Sequence, residues 1–487
     1  MNPPSYAALP EHFFARLNPT PVAKPRLLRF NLGLERELGL GIGDLDAQAL
    51  AEIFSGNLLP EGTASIAMAY AGHQFGYFVP QLGDGRALLL AEVVDCAGMR
   101  RDIQLKGSGR TPYSRGGDGR AALGPVLREY LVSEAMHALG IPTTRALAAV
   151  ATGEPVFREE ALPGAVLTRV AASFVRVGTF QYFAARDDVE AVRRLADYVI
   201  DRHYPHAKAE RSPYLALLRA AAGAQASLVA RWMQVGFIHG VMNTDNMAVS
   251  GETIDYGPCA FVDAYDPAAV FSSIDRQGRY AYANQPHAAL WNLARFAETL
   301  LPIIDADGDR AVALAGEALA VFSTRFADES QAGMRRKLGL AAYEDGDAAL
   351  ADDLLDAMHR NQADFTLTFR GLCEAAEGEA ADPGVRSSFA NPHDYDEWAA
   401  RWRARLARDP LDPRSRAAAM RQVNPAVIPR NHRIEQVIEA AVERQDFDPF
   451  VRLSEVLSQP YRLDEGFESY ADAPLPAERV RQTFCGT

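Results

Sequence analysis

The stretch HGVMNTDNMAVSGETIDYG, residues 239–257, decides the fold. A two-residue turn at Ser250-Gly251 makes it a hairpin. Antiparallel pairing then sets 249 opposite 252, 248 opposite 253, 247 opposite 254, and Asn246 opposite Asp255. Directly opposed residues lie about 5 Å apart at Cβ and share a face. An amide oxygen and a carboxylate are therefore expected to meet at the open end. Oxygen donors that leave room for water and phosphate suit Mg2+ or Mn2+. For the segment alone, the alternative is a surface hairpin with an ordinary Asn and Asp.

The spacing also matches a phosphotransferase template. Protein-kinase catalytic loops read H-R-D-x-x-x-x-N, and a metal-binding aspartate heads a later D-F-G. His239 and Asn246 stand at that separation, and Asp255-Tyr256-Gly257 is similar to D-F-G. One departure matters for the chemistry. Val241 occupies the place of the aspartate that receives the hydroxyl proton, and a valine accepts no proton. Either the chain is inactive or another group is the base, and Asp245, next to Asn246, is the candidate.

Upstream lie the other parts of such a site. The turn Gly83-Asp84-Gly85-Arg86 can bring backbone N–H groups close to phosphate, with Arg86 as a planar cation. Lys106 follows on a strand-like run, where a kinase-type strand lysine falls, and Glu129 on the next helix can pair with it. The loop KGSGRTPYSRGGDGR (106–120) can lay amides and cations around a polyphosphate, or be a plain surface loop. Arg169 and Arg176, taken alone, read as surface arginines.

Residues 1–62 read as an arm around a larger body. Residues 63–150 read as β-rich: YFVPQL (77–82), ALLLAEVV (87–94) and DIQLK (102–106) are strand-like, with Asp84-Gly85 as a hairpin turn between the first two. Gly124-Pro125 opens a helix with apolar residues at Leu127, Leu131, Ala135 and Leu139, ending at Gly140. From about 190 the pattern is mainly helical. The expected division is an arm (1–62), a β-rich lobe (63–150), a catalytic lobe (151–330) and a helical extension (331–487). Together this is an α+β, protein-kinase-like bilobal fold with a β-rich N-lobe and a mostly helical C-lobe.

The net charge of −13 argues against nucleic acid or anionic membrane as partners, since both need a basic surface. The N-terminus lacks a signal-peptide pattern and no apolar run approaches a membrane span, so a cytoplasmic protein is expected. Cys96, Cys259, Cys373 and Cys485 form no C-x-x-C pair, which disfavours a zinc site.

With these residues in view, the sequence resembles the selenoprotein O family, the kinase-like protein adenylyltransferases. The matching segments are AYAGHQFG (69–76), QLGDGRA (81–87), QLKGSGRTPYSRGGDGRA (104–121), REYLVSEAMHALGIPTTRAL (128–147), HGVMNTDNM (239–247), TIDYGP (253–258) and NPAVIPRNH (424–432). The resemblance implies a flipped ATP whose AMP goes to a Ser, Thr or Tyr hydroxyl of a protein substrate, with release of pyrophosphate. It implies nucleotide contacts at Gly83, Gly85, Arg86, Lys106, Asp118, Gly119, Arg169, Arg176 and Asp255. Asn246 and Asp255 would hold Mg2+ or Mn2+, Asp245 would be the proton acceptor, and Glu129 would orient Lys106. The chain is expected to be a monomer.

Three other activities fit the same residues. UTP with Mn2+ would give uridylylation, a γ-phosphate transfer would make a phosphotransferase, and a silent nucleotide-binding scaffold would move no label. The resemblance also implies a redox-active cysteine near the C-terminus, a place taken by Cys485, and in some bacterial relatives a partner after D-Y-G, where Cys259 lies. Two unpaired thiols are the alternative. A reversible disulfide requires fewer free thiols by intact mass without reductant than with it; identical thiol counts exclude the pairing.

Overall fold

The computed structural model describes residues 1–484. The chain begins with strands β1 (Phe14–Arg16) and β2 (Arg26–Phe30) and helices α1 (Leu32–Leu38) and α2 (Ala47–Ser55). Strands β3 (Ile66–Met68), β4 (Gly72–Gln74), β5 (Tyr77–Val79), β6 (Ala87–Val94), β7 (Arg100–Lys106) and β8 (Ala121–Ala122) follow. Helix α3 (Leu123–Ala138) then precedes the long strands β9 (Arg145–Phe157) and β10 (Ala161–Ala171). The main sheet is antiparallel, in the order β1-β3-β6-β7-β10-β9-β2, with β8 against β10. Both edge strands come from the N-terminal arm, so the arm completes the sheet it wraps.

Both faces of the sheet are covered, which explains why β6 reads as an unbroken apolar run rather than an alternation. One face, including Leu89, Ala149, Ala165 and Leu167, packs under Leu123, Leu127, Leu131 and Ala135 of α3. The other, including Val93, Ile103, Val150 and Val170, packs under Leu34 and Leu38 of α1 and Leu50 and Phe54 of α2. Helix α3 starts at Leu123, two residues before the expected start, so that Pro125 is its third residue, and it stops at Gly140 (φ 77°) as expected.

Helices α4 (Val177–Ala184), α5 (Val189–His203) and α6 (Pro213–Gln234) come next, then the short strands β11 (Phe237–Ile238) and β12 (Ala260–Phe261). These two strands pair with each other and bracket the 239–257 segment. Helices α7 (Gln285–Ile304) and α8 (Gly308–Lys337) follow, with further helices between 347 and 457. No helix among the described residues is long and apolar enough to cross a membrane.

Several expectations need correction. Strand β5 pairs with β4, not with β6, so Asp84-Gly85 is not a hairpin turn. The stretch around it instead runs beside β3: Leu82 N–H donates to Tyr70 O, and Asp84 N–H to Met68 O. The Asp84 carboxylate, itself buried, accepts the Met68 N–H and ties the loop down. The second expected hairpin is also absent. Ala248 bridges to Arg176 and Thr253 to Thr143, so each arm finds a partner outside the segment, and only a turn from Ala248 O to Gly251 N–H remains. The division expected at 150 falls inside β9, because the sheet continues to Ala171, and that at 330 falls inside α8.

The NPAVIPRNH segment locks the C-terminal helices onto this frame. Asn431 accepts the Phe261 N–H (3.1 Å) and donates to Phe261 O (2.8 Å). Arg430 is 1% exposed and bridges Asp263 and Asp364. Asn431→Ala leaves a buried N–H and C=O unpaired beside β12 and is expected to cost about 2–4 kcal/mol in chemical denaturation. A cost below about 0.5 kcal/mol, the size of an ordinary surface change, would show that this clamp is not structural.

Candidate active site

The sheet, the 83–86 and 107–120 loops, Arg176 just before α4 and the 239–257 segment meet around a cavity of about 570 Å3. Its walls carry Gly83, Gly85, Arg86, Lys106, Asp118, Gly119, Arg169, Arg176, Asp245, Asn246 and Asp255. Glu129 is not in the wall. It lies just behind, 2% exposed, on α3.

Strand register sets the cations. Arg169 on β10 lies directly opposite Gln104 on β7, and Lys106 is two residues further along β7, on the same face. Glu129 accepts Lys106 Nζ at 2.6 Å and Arg169 Nε at 2.5 Å. Asp255 accepts Arg169 Nη2 at 2.5 Å, Arg176 Nη1 at 2.6 Å and Lys106 Nζ at 3.4 Å. Arg169 and Arg176, surface residues on a sequence reading alone, are 2% and 3% exposed. Long-range partners that local sequence does not display hold them inside.

Burial alone would raise both carboxyls. The cations outweigh it, Arg169 foremost, and hold Glu129 below and Asp255 well below the usual carboxylate range. Burial and then Arg169 pull the Lys106 ammonium down. Lys106, Arg169 and Arg176 meet Glu129 and Asp255 directly, while Asp84 and Asp245 also act on Arg176 and Arg86 stands in the same wall. Cations gathered in one wall favour an anionic ligand.

The backbone around Asp255 is specialised. Its φ is 64°, a left-handed value that Asp tolerates better than most residues. Buried His239 bonds through Nε2 to Ile254 O at 2.9 Å, and Tyr256 OH meets Thr143 Oγ1. These contacts fix the residues on either side of the carboxylate.

Asp245 sits in a short turn and is 7% exposed. Its carboxylate accepts Gln74 Nε2 at 3.2 Å, and its other oxygen has no partner among the described residues. Burial pushes this carboxyl up to about 6, against the pull of Arg176 and the Gln74 bond. Asn246 donates Nδ2 to Val241 O at 2.9 Å, which leaves its amide oxygen for the cavity. Among the described residues no three His, Cys, Asp or Glu side chains gather as a metal cage. Asp255 and Asn246 both line the cavity, and an ionised carboxylate and an amide oxygen are donor types that fit a hard divalent ion taking its remaining ligands from phosphate and water.

The glycine-rich loop 107–120 folds onto the 83–86 turn. Thr111 Oγ1 donates to Asp84 O at 2.7 Å, and Ser114 Oγ to Gly85 O. A Cβ on Gly83 (φ 81°) would lie 2.3 Å from the Tyr113 ring, and one on Gly119 (φ 68°) 2.0 Å from Gly109 O. Gly83 serves the close approach of the two loops, and Gly119 lets the 107–120 loop close on itself. Asp118 is paired with Arg158 at 3.0 Å.

Sequence reasoning missed several wall residues: Tyr70, whose ring carries the Arg176 guanidinium 4.7 Å from its centroid, Asp84, Gln74 and Arg158. The AYAGHQFG segment signalled the first and third without a role. Nothing local signals Arg158. Cys259 is buried and its thiol pushed up to about 12 by that burial; the expected pairing with Cys485 lies outside the described residues.

The family model described as protein adenylyltransferase SelO matches residues 2–458. A protein of Bradyrhizobium sp. (strain BTAi1) called protein nucleotidyltransferase YdiU is 65% identical over 483 residues, covering 99% of this chain and 98% of that protein. Proteins of the same name from Rhodopseudomonas palustris (strain BisB18) and Rhizobium meliloti (strain 1021) are 64% and 62% identical, each with 99% of this chain and 98% of the relative covered. The chain therefore belongs to the SelO family of protein nucleotidyltransferases.

Proposed function

We propose that the protein transfers AMP from ATP to a Ser, Thr or Tyr hydroxyl of a protein substrate and releases pyrophosphate, within a kinase-like bilobal fold. The observation that carries this reading is the convergence of Lys106, Arg169 and Arg176 on Asp255 in a cavity that Asp245 also lines. Val241, at the usual kinase base position, is 4% exposed and offers no proton acceptor. Asp245 has a carboxylate oxygen without a partner and is the alternative.

In this reading Gly83, Gly85, Arg86, Lys106, Asp118, Gly119, Arg169 and Arg176 hold a flipped ATP, its α-phosphate toward the acceptor. Asn246 and Asp255 hold Mg2+ or Mn2+, which supplies charge neutralisation on phosphate oxygens. The acceptor oxygen bonds to the α-phosphorus while the bond from that phosphorus to the α–β bridging oxygen breaks. Asp245 takes the hydroxyl proton, and the electron pair of the broken bond leaves on pyrophosphate. The cations Lys106, Arg169 and Arg176 stabilise the charge of that leaving group. Glu129 keeps Lys106 and Arg169 from turning to other partners.

The wild-type protein is expected to move label to protein from α-labelled ATP and none from γ-labelled ATP, and to lose activity in EDTA. Asp245→Ala and Asp255→Ala should each lower the rate on the order of 10²–10³ or more. Transfer from the γ position would overturn the assignment. Glu129→Gln removes the charge that fixes Lys106 and Arg169, and a fall in kcat/KM of about 10- to 100-fold is expected from steady-state kinetics.

A further inference from the structure

Beside Asp245 the molecule presents a surface that the transfer chemistry leaves unused. The β4–β5 ribbon turns at Phe75-Gly76, with φ of 51° and 88°. Gln74, immediately before the turn, is bonded to Asp245, so the ribbon tip stands at the cavity edge on the side of that carboxylate. The ribbon is held there firmly. Thr244 Oγ1 accepts the His73 N–H at 2.7 Å, and Asn243 Oδ1 accepts the Phe75 N–H at 3.0 Å. Its outer side is bare: Tyr77 is 80% exposed and Phe78 40%.

A cation stands against the same tip. A Cβ on Gly76 would be 3.6 Å from Cζ of Arg279. The Arg279 guanidinium lies 4.6 Å from the Trp291 ring centroid, and His73 meets that ring edge-on at 5.3 Å. Among the described residues no carboxylate stands within ion-pair distance of the Arg279 guanidinium; its side chain bonds to Tyr280, its backbone N–H donates to Asp275 at 2.9 Å, and its Nε has no hydrogen-bond partner. Arg279 is not in the cavity wall, so nucleotide phosphate does not account for it. Ile274, 52% exposed, continues the apolar rim into the cavity.

We propose that this rim docks the acceptor: an extended segment of the protein substrate, with an acidic side chain two or three residues from the hydroxyl that is modified. Charge complementarity selects that occupant. An uncompensated, preorganised arginine recognises a carboxylate, and in a chain of net charge −13 a local positive spot is what admits an acidic segment at all. Exposed aromatic side chains at the edge of a reactive cleft are the usual anchors of a protein partner. Gln74 and Gly76 lie at the same end of the ribbon, across its tight turn, so the Asp245 and Arg279 contacts are close enough for one short extended segment to reach both. The inference rests on Asp245 being the base.

The test uses the full chain, α-labelled ATP and matched peptides. Each peptide has one Tyr or one Ser in an Ala/Gly background, with Glu, Gln or Lys flanking it at the second and third positions. Wild type is expected to rank kcat/KM as Glu above Gln above Lys, with about a two- to fivefold step, the range of a solvent-exposed ion pair. Arg279→Gln should level the three and Arg279→Glu should invert them, with KM for ATP unchanged. The proposal is overturned if wild type labels no peptide or does not discriminate, if the ranking survives in Arg279→Gln, or if KM for ATP moves with the charge. Asp245→Asn run in parallel separates the two readings. If it labels as fast as wild type, the base assignment fails, and with it the premise. If it is dead while the Arg279 variants rank peptides as wild type does, only the docking inference fails.

Discussion

Glu129, buried, and Asp255, half-buried, are held between the buried cations Lys106, Arg169 and Arg176, and most of the architecture serves that arrangement. A charge taken out of water is costly unless it is paired and hydrogen-bonded. The members of this cluster come from β7, α3, β10, the start of α4 and the loop after β11, so no single element can keep it. Sheet register aligns Lys106 and Arg169, α3 lifts Glu129 beneath them, and the left-handed backbone at Asp255 turns its carboxylate into the same space. The N-terminal arm matters because it supplies both edges of the sheet that sets this register.

The cluster links the fold to function through its cations, which line a cleft that phosphate can occupy. The same cations raise the cost of protonating Asp255, so its carboxylate stays ionised in the cavity wall. Asp245 is the contrast. It lies a short way along the chain, yet burial dominates there and its carboxyl is pushed up to about 6. Two aspartates ten residues apart thus receive different chemistry from their surroundings, one suited to a cation and the other to a proton.

Much of the site was legible in the sequence because its chemistry is tied to local order. A glycine turn, a lysine ending a strand, a glutamate on the next helix and the H-x₆-N spacing can be recognised without knowing what packs where. What could not be read was pairing at a distance. Thr253 finds Thr143, and Ala248 finds Arg176, contacts that compete with the hairpin suggested by Ser250-Gly251 and win because they join the segment to the body of the protein. Asp84 looks like a turn residue, but its carboxylate is drawn inward by the Met68 N–H. Arg169 and Arg176 look like solvated charges until their carboxylate partners, 40 and 79 residues away, are known.

The central claim is that Asn246 and Asp255 jointly hold a divalent ion on a nucleotide whose phosphates meet Lys106 and the arginines. The most direct measurement is a crystal structure with a non-hydrolysable ATP analogue and Mn2+, using the anomalous signal to locate the ion. The account predicts a manganese peak coordinated by both side chains and by phosphate oxygen, with Lys106 and Arg176 on the triphosphate. A peak elsewhere, or those two side chains turned away from any phosphate, would contradict it.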